Sequence, residues 1–176
     1  MKIFMRYRFS VVSVFILTLI IFFDQKIGMR AAQLAISSFR EMALIIPPIF
    51  ILLGLLDSWI SREVMMRLMG DDSGLKGIAL AFFLGSAAAG PLYGAFPVAG
   101  VFMKKGVSLL NVLIFIGAWS STKIPMLLFE LSSLGAPFTL TRLAVNIPGI
   151  ILIALILSKI TRKKDIENLY EKARLF

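Results

Sequence analysis

The chain has 176 residues, of which 59% are hydrophobic and 16% charged, and its mean hydropathy of +0.90 nearly excludes a water-soluble globular enzyme. Cysteine and histidine are both absent, which excludes disulfides, thiolate or imidazole metal sites and triads that use histidine. Nineteen Lys and Arg against ten Asp and Glu give a net charge of +9, which in so apolar a chain is typical of the cytoplasmic flanks of membrane spans.

The first two predicted spans follow from length, because a helix needs about 20 apolar residues to cross about 30 Å of hydrocarbon. The first lies near residues 9–27. A signal peptide is the alternative, although no small-residue cleavage site follows. Residues 29–39 are predicted as a short interfacial helix, with a polar loop as the alternative. The second span lies near residues 42–60 and contains Pro47 and Pro48, which should kink or break it.

The third hydrophobic stretch, residues 77–103, is rich in glycine and proline. Small residues at every fourth position predict a stripe for close helix packing: Gly77, Ala81, Gly85 and Ala89. The helix should stop at Gly90 and Pro91. Three more residues should keep the next segment irregular: Gly94, Pro97 and Gly100. Irregular backbone at membrane depth is tolerated only inside protein or beside water, so we expect a broken or re-entrant element here.

The remaining spans are predicted near residues 107–131 and 143–158, and residues 159–176 form a basic tail with a polar helix. The second half of the fourth span is polar and weakened, and includes Lys123. An ionisable group within a span costs about 2.5 to 3.5 kcal/mol and usually faces a cavity or the bundle interior, which makes Lys123 a functional candidate. The alternatives are a lysine that snorkels to the membrane surface or one that stacks on Trp119.

The positions of Lys and Arg predict the topology, because these residues accumulate on the cytoplasmic side. If residues 77–103 enter the membrane and return, both termini and most basic residues are cytoplasmic: Lys2, Arg6, Arg8, Arg62, Arg67, Lys76, Lys104, Lys105, Lys159, Arg162, Lys163, Lys164, Lys172 and Arg174. This favours four spans plus a re-entrant hairpin over five full spans. The predicted fold is an all-α integral membrane protein, with residues 1–158 as its membrane domain.

The broken segment and the Lys123 region together predict a substrate path. Broken helices place unpaired backbone N–H and C=O groups, with the dipoles of the helix ends, where a solute can bind. A nearby lysine favours an anionic or polar solute. The predicted path residues are Gly90, Pro91, Tyr93, Gly94, Pro97, Ser120, Ser121, Thr122, Lys123 and Pro125. The alternative is a tight helix crossing that needs Gly and Pro for packing alone.

Other polar residues in the spans are predicted as caps, interface residues or interhelical hydrogen bonds: Asp57, Asn111, Glu130, Arg142 and Asn146. No metal, cofactor or catalytic set is predicted. A serine nucleophile at Ser120 or Ser121 with Lys123 as its base fits poorly, because adjacent helical residues point in different directions.

Residues 84–135 resemble the predicted permease family that includes the organoarsenical efflux permeases, and the likeness extends more loosely over residues 41–158. The family's Gly-Pro-Leu turn, second Pro, Lys-Gly step and later Pro correspond here to Gly90, Pro91, Leu92, Pro97, Lys105, Gly106 and Pro125. Relatives commonly carry Cys-Ser-Cys after the Pro-Leu, where this chain has Tyr93, Gly94 and Ala95. This departure from the family pattern removes the thiols that would bind arsenic or another soft metal.

Family permeases are longer chains built from two related halves, and this sequence resembles one half. The resemblance implies a half-size permease of the cytoplasmic membrane that lies in the lipid bilayer as a homodimer or with a similar half-length partner. A non-transporting membrane scaffold is the alternative.

Overall fold

The computed structural model describes residues 2–88 and 90–174, with side chains from residue 9 onward except at several positions between 41 and 57. Every regular element in these ranges is a helix. The chain divides into two compact units, Met1–Pro47 and Pro48–Phe176. The all-α class predicted from the sequence is confirmed for the described ranges.

The first unit contains two helical elements: α1 (Lys2–Phe23) and the beginning of α2 (Gln25–Trp59). Asp24 separates them, and its Oδ1 accepts a hydrogen bond from the backbone N–H of Ile27 at 3.0 Å, as an N-cap carboxylate does. Gly28 is buried, and a Cβ there would lie 2.4 Å from the Cα of Ile21. The junction of the two helices therefore requires glycine at position 28.

α2 differs from its sequence prediction. Helical backbone runs from Gln25 to Trp59 through Pro47 and Pro48, so that the predicted helix at 29–39 and the predicted span near 42–60 lie in one continuous element. Proline removes a hydrogen-bond donor, but its fixed φ of about −65° is itself a helical value. Of the predicted kink or break, a break does not occur, because the neighbouring turns continue the helix on both sides.

The second unit begins with the end of α2 and continues with these helices: α3 (Arg62–Met69), α4 (Gly74–Ala87), α5 (Ala95–Lys104), α6 (Leu109–Ser121), α7 (Ile124–Ser133), α8 (Ala136–Ile160) and α9 (Lys163–Arg174). Short 3-10 turns at Asp71–Ser73 and Leu92–Gly94 lead into α4 and α5.

α4 and α5 form a helical hairpin whose two outer ends lie at the same end of this unit. Ser73, just before α4, accepts a hydrogen bond from Nδ2 of Asn111 at 3.1 Å. Ser108, which follows the end of α5, donates its backbone N–H at 2.9 Å to the carbonyl of Met69, the last residue of α3. We call this end of the unit, which also holds α3, the α3 end.

α6 runs beside α4 in the same direction, starting at the α3 end. Near the other end of α4, a Cβ on Gly85 would lie 2.5 Å from the carbonyl oxygen of Phe115, so the two backbones almost touch. Phe102 of α5 packs on Phe115, with ring centroids 4.9 Å apart. α8 returns in the opposite direction, with Ile150 against Gly117. The core of the unit therefore lies around α6.

Two helical stretches of the described chain are long and apolar enough to cross a membrane. One is Leu109–Ser133, which comprises α6 and α7, and the other is Ala136–Ile160, which is α8. Phe9–Phe23 and Leu92–Lys104 are shorter apolar helices. The number of spans expected from the sequence therefore stays a prediction.

Candidate functional site

The first helix break is the tip of the α4–α5 hairpin. A helix pairs each carbonyl with the N–H four residues later, and the partner of the last α4 residue, Ala87, would be Pro91, which has no N–H. Gly90 has φ of +99°, a conformation that favours glycine, and so reverses the chain. α4 therefore ends for two separate reasons: Pro91 lacks the N–H that would continue the helix, and Gly90 adopts a positive φ.

The irregular backbone of the tip is shorter than the sequence predicts. α5 begins at Ala95 and is regular through Pro97 and Gly100. Pro97 lies in the first turn of α5, where a backbone N–H has no helical acceptor to lose. The predicted irregularity after Gly94 is therefore wrong, and the break is confined to the residues between α4 and α5.

The second helix break separates α6 from α7 and follows the same rule. The last α6 residue, Ser121, would pair its carbonyl with the N–H of residue 125, which is Pro125. Lys123 adopts an extended ψ of 136° between the two helices. The free carbonyl of Ser121 accepts a hydrogen bond from Nη1 of Arg142 at 2.8 Å instead.

Four hydrogen bonds join the two breaks. The amine of Lys123 donates to the carbonyl oxygen of Gly90 at 2.5 Å. Nε1 of Trp119 lies 3.3 Å from the same oxygen and 3.2 Å from the carbonyl oxygen of Pro91. The hydroxyl oxygens of Ser86 and Thr122 lie 2.9 Å apart. The tip of the hairpin is thereby held against the point where α6 ends.

Only part of the predicted path lies at this contact. The structure brings together Gly90, Pro91, Thr122 and Lys123. The hydroxyls of Ser120 and Ser121 instead donate to the carbonyl of Gly117, within their own helix, at 2.8 and 3.0 Å. The other predicted path residues make no described hydrogen bond across the two breaks: Tyr93, Gly94, Pro97 and Pro125.

Two contact residues were not predicted in these roles. Ser86 contacts Thr122. Its position in the sequence, directly after Gly85 of the small-residue stripe on α4, is the signal that could have identified it. The sequence suggests Trp119 as a stacking partner for Lys123, whereas in the structure its indole N–H donates to the same carbonyl that Lys123 binds. The side chain of Lys123 thus turns towards the hairpin tip.

The small-residue stripe faces α6. A Cβ on Gly77 would lie 2.4 Å from Nδ2 of Asn111, and one on Gly85 would lie 2.8 Å from Cβ of Ala118. Ala81 is fully buried between these two contacts. Ala89, the fourth member of the predicted stripe, lies outside the described residues.

Three of the weaker polar candidates make structural contacts: Asn111, Glu130 and Arg142. Asn111 donates to the carbonyl of Met69 at 2.8 Å. Nε of Arg142 on α8 lies 2.7 Å from Oε2 of Glu130 on α7, which is an interhelical ion pair. Asn146 is half-buried, and the side chain of Asp57 lies outside the described set. Within the described ranges, no group of three or more His, Cys, Asp and Glu could hold a metal ion.

Comparison with known proteins identifies the family. No curated protein and no solved structure gives a significant match. The sequence profile ArsP_1, described as a predicted permease, matches residues 28–175. This range covers most of the chain and includes both helix breaks. The chain therefore belongs to the predicted permease family.

Proposed function

We propose that this protein moves a small polar or anionic solute across the cytoplasmic membrane, as a dimer, by rearrangement around the two joined helix breaks. The observation that carries the proposal is the hydrogen bond from Lys123 to Gly90, which ties one broken helix to another at 2.5 Å. Membership of a permease family supports transport as the general activity. The solute class and the site are inferred from the chemistry of the contact.

Four helix ends converge at the contact. α4 and α6 end there, and α5 and α7 begin there. The carbonyl ends of helices carry partial negative charge and the N–H ends partial positive charge, so the same small volume offers both acceptors and donors to a solute. The ammonium of Lys123 adds a full positive charge, and this favours an anionic group on the solute.

The depth of the contact supports a position inside the membrane. α6 has 13 residues, which span about 20 Å at 1.5 Å per residue, against about 30 Å of hydrocarbon. The hairpin α4–α5 starts and finishes at the α3 end, as a re-entrant element does, and its tip reaches the end of α6. With the α3 end in the cytoplasm, the tip and the break lie within the bilayer.

Lys123 couples the solute to the hairpin. Its ammonium carries three N–H donors, and one of them binds Gly90. A solute anion that draws the amine away releases the Gly90 carbonyl, which weakens the connection between the tip and α6. Binding of the solute thereby favours a different position of the hairpin, which is the requirement for alternating access.

Flux measurements on purified protein in liposomes test this proposal, with a panel of small anionic and neutral polar solutes. Lys123→Ala should lower the flux of the transported solute about tenfold or more, as the loss of a charge-assisted hydrogen bond of about 1.5 to 3 kcal/mol to the solute implies. Pro91→Ala should also lower the flux, because the new N–H at position 91 can bind the carbonyl of Ala87 and continue α4 into the first break. Lys164→Ala in the exposed tail and Pro148→Ala inside α8 are the matched controls and should retain the wild-type flux.

Two results would contradict the proposal. If neither Lys123→Ala nor Pro91→Ala alters the flux of any solute, the assignment of these residues to the path fails. If the wild-type protein moves none of the solutes faster than protein-free vesicles, the non-transporting scaffold becomes the better explanation. Cross-linking of the protein in its native membrane tests the dimer separately.

A further inference from the structure

We propose that the ion pair of Glu130 and Arg142 is a gate latch: it holds α7 against α8 and closes the route from the helix breaks to the α7–α8 turn. The turn lies at the opposite end of this unit from the α3 end, since α6 and α7 lead away from that end and α8 returns. The proposal rests on the proposed function, because a gate has a role only in a protein that moves a solute.

α7 has a non-helical joint at each of its ends. At its start the extended backbone of Lys123 separates it from α6. At its end Gly135 has φ of +86°, which favours glycine, and connects it to α8. A short helix between two such joints can move as one piece when only a few backbone angles change.

The attachment of α7 between these joints is mainly polar. Among its ten residues, all of which the structure describes, Glu130 is the one that is buried, with a side chain 7% exposed. The apolar residues of α7 are exposed or half-buried and form no buried core with α8. A helix held by one buried ion pair, rather than by apolar packing, separates from its neighbour when that pair opens.

Arg142 connects the latch to the break. Its Nε lies 2.7 Å from Oε2 of Glu130, and its Nη1 lies 2.8 Å from the carbonyl oxygen of Ser121, the last residue of α6. One guanidinium thus holds three helices together: α8, which carries it, α7 through the carboxylate, and α6 through its free carbonyl. Movement of α7 away from α8 therefore changes the donors at the same break that carries Lys123.

The closed latch leaves one buried hydrogen-bond donor of Arg142 without an acceptor among the described residues. Nη2 of Arg142 is buried, and no acceptor binds it within the described part of the chain. A buried donor without a partner raises the free energy of the state that contains it. The closed state is therefore penalised relative to one in which water or a solute oxygen reaches Nη2, and this favours a switch between two states over a permanent clamp.

Side-specific labelling of a single thiol tests the latch, because the sequence contains no cysteine. Ser86→Cys places a thiol at the two breaks, where the native hydroxyl lies 2.9 Å from that of Thr122. A membrane-impermeant thiol reagent is added to proteoliposomes from one side at a time. Ser133→Cys, which is exposed at the end of α7, identifies the side that holds the α7–α8 turn.

In the Ser86→Cys background, Glu130→Gln and Arg142→Gln should each raise the labelling rate from the α7–α8 side at least about fivefold, the lower end of typical coupling between two states. Labelling from the α3 side should stay within twofold of the parent. Glu171→Gln and Arg174→Gln, both exposed on α9, are matched controls and should change neither rate.

The charge-swapped double variant, Glu130→Arg with Arg142→Glu, should label more slowly than either single variant, because the pair can form again. Unchanged labelling from the α7–α8 side in both single variants would overturn the proposal. So would an equal increase from both sides, which indicates general loss of structure. Because labelling needs no solute, failure of the latch remains distinguishable from failure of the permease assignment, which flux alone tests.

Discussion

The amine of Lys123 lies 2.5 Å from the carbonyl oxygen of Gly90, a residue 33 positions earlier in the chain. Each of the two residues belongs to a break that a following proline causes, at Pro91 and Pro125. A broken helix leaves carbonyl groups without N–H partners, and a carbonyl that is buried away from water needs another donor. The lysine side chain meets this requirement for the hairpin tip.

Replacing Lys123 should therefore destabilise the fold. Lys123→Met keeps the length of the side chain but removes the donor, and should lower the free energy of unfolding by about 1.5 to 3 kcal/mol, the usual contribution of a hydrogen bond to a charged group. Lys123→Arg retains a donor and should lose less. Denaturant unfolding in detergent micelles measures both, with Lys164→Met as the exposed control. A Lys123→Met protein as stable as that control would contradict the role of the bond.

Two glycine substitutions should have opposite effects on stability. A Cβ on Gly85 would lie 2.5 Å from the carbonyl oxygen of Phe115, and backbone atoms cannot move aside cheaply, so Gly85→Ala should cost about 1 to 3 kcal/mol. A Cβ on Gly100 meets no described atom within 4 Å, and Gly100→Ala within α5 should stabilise by about 0.5 to 1 kcal/mol.

Unfolding of the two glycine variants in the same micelles provides the comparison. The order of stability should be Gly100→Ala, wild type, Gly85→Ala. If Gly85→Ala is no less stable than Gly100→Ala, then α4 and α6 do not approach as closely as the structure places them.

Sequence patterns predict a helix end correctly where the residues at that end determine the backbone conformation themselves. The end of α4 follows from Gly90 and Pro91, since one favours a left-handed conformation and the other lacks an N–H. The same proline rule fails at Pro47 and Pro48, where the helix continues. Whether a helix survives a proline depends on the packing of the turns around it, and a single sequence does not contain that information.

Long-range partners are the part that sequence rules miss. Lys123 is recognisable as a charged residue in an apolar stretch, but its acceptor, the carbonyl of Gly90, belongs to the backbone, which has no sequence signature. Glu130 and Arg142 are each recognisable as polar span residues. Their pairing depends on α7 and α8 lying antiparallel across a short turn. Residue types thus indicate the need for a partner, whereas the fold determines which partner is used.

Pro125→Ala should close the second break. The new N–H at position 125 can bind the carbonyl of Ser121, which would continue α6 into α7 and displace Nη1 of Arg142 from its acceptor. The flux of the variant should fall, because continuing the helix through residues 122–124 removes the extended conformation of Lys123 on which its contact with Gly90 depends. Hydrogen exchange measures closure of the break as slower exchange over residues 122–126. Unchanged exchange there together with normal flux would contradict this account of the break.

Pro148→Ala is the control for that experiment, since Pro148 lies inside α8, whose helical backbone is already continuous. It should leave both the exchange over residues 122–126 and the flux unchanged. A fall in flux for Pro148→Ala as well would mean that flux responds to any added helical hydrogen bond, and not to closure of this break.

The tail helix should leave the α3 end at high pH, because it docks through the hydroxyl of Tyr170. This hydroxyl donates to the carbonyl of Val107 at 2.5 Å. Burial, with a smaller contribution from the negative charge of Asp71, raises the pKa of Tyr170 from 10.0 to about 12. The raised pKa means that the fold favours the neutral phenol. The contribution of the neutral Tyr170 phenol to folding stability is therefore complete below pH 10 and is lost as the pH rises through about 12.

Absorbance titration of the phenolates in micelles measures this difference. The chain has three tyrosines, and Tyr170→Phe should remove the component with a midpoint near pH 12 while the other components remain. Asp71→Asn should lower that midpoint slightly, since it removes the smaller of the two causes. If Tyr170→Phe instead removes a component near pH 10, the hydroxyl is solvated and the tail is not docked on Val107.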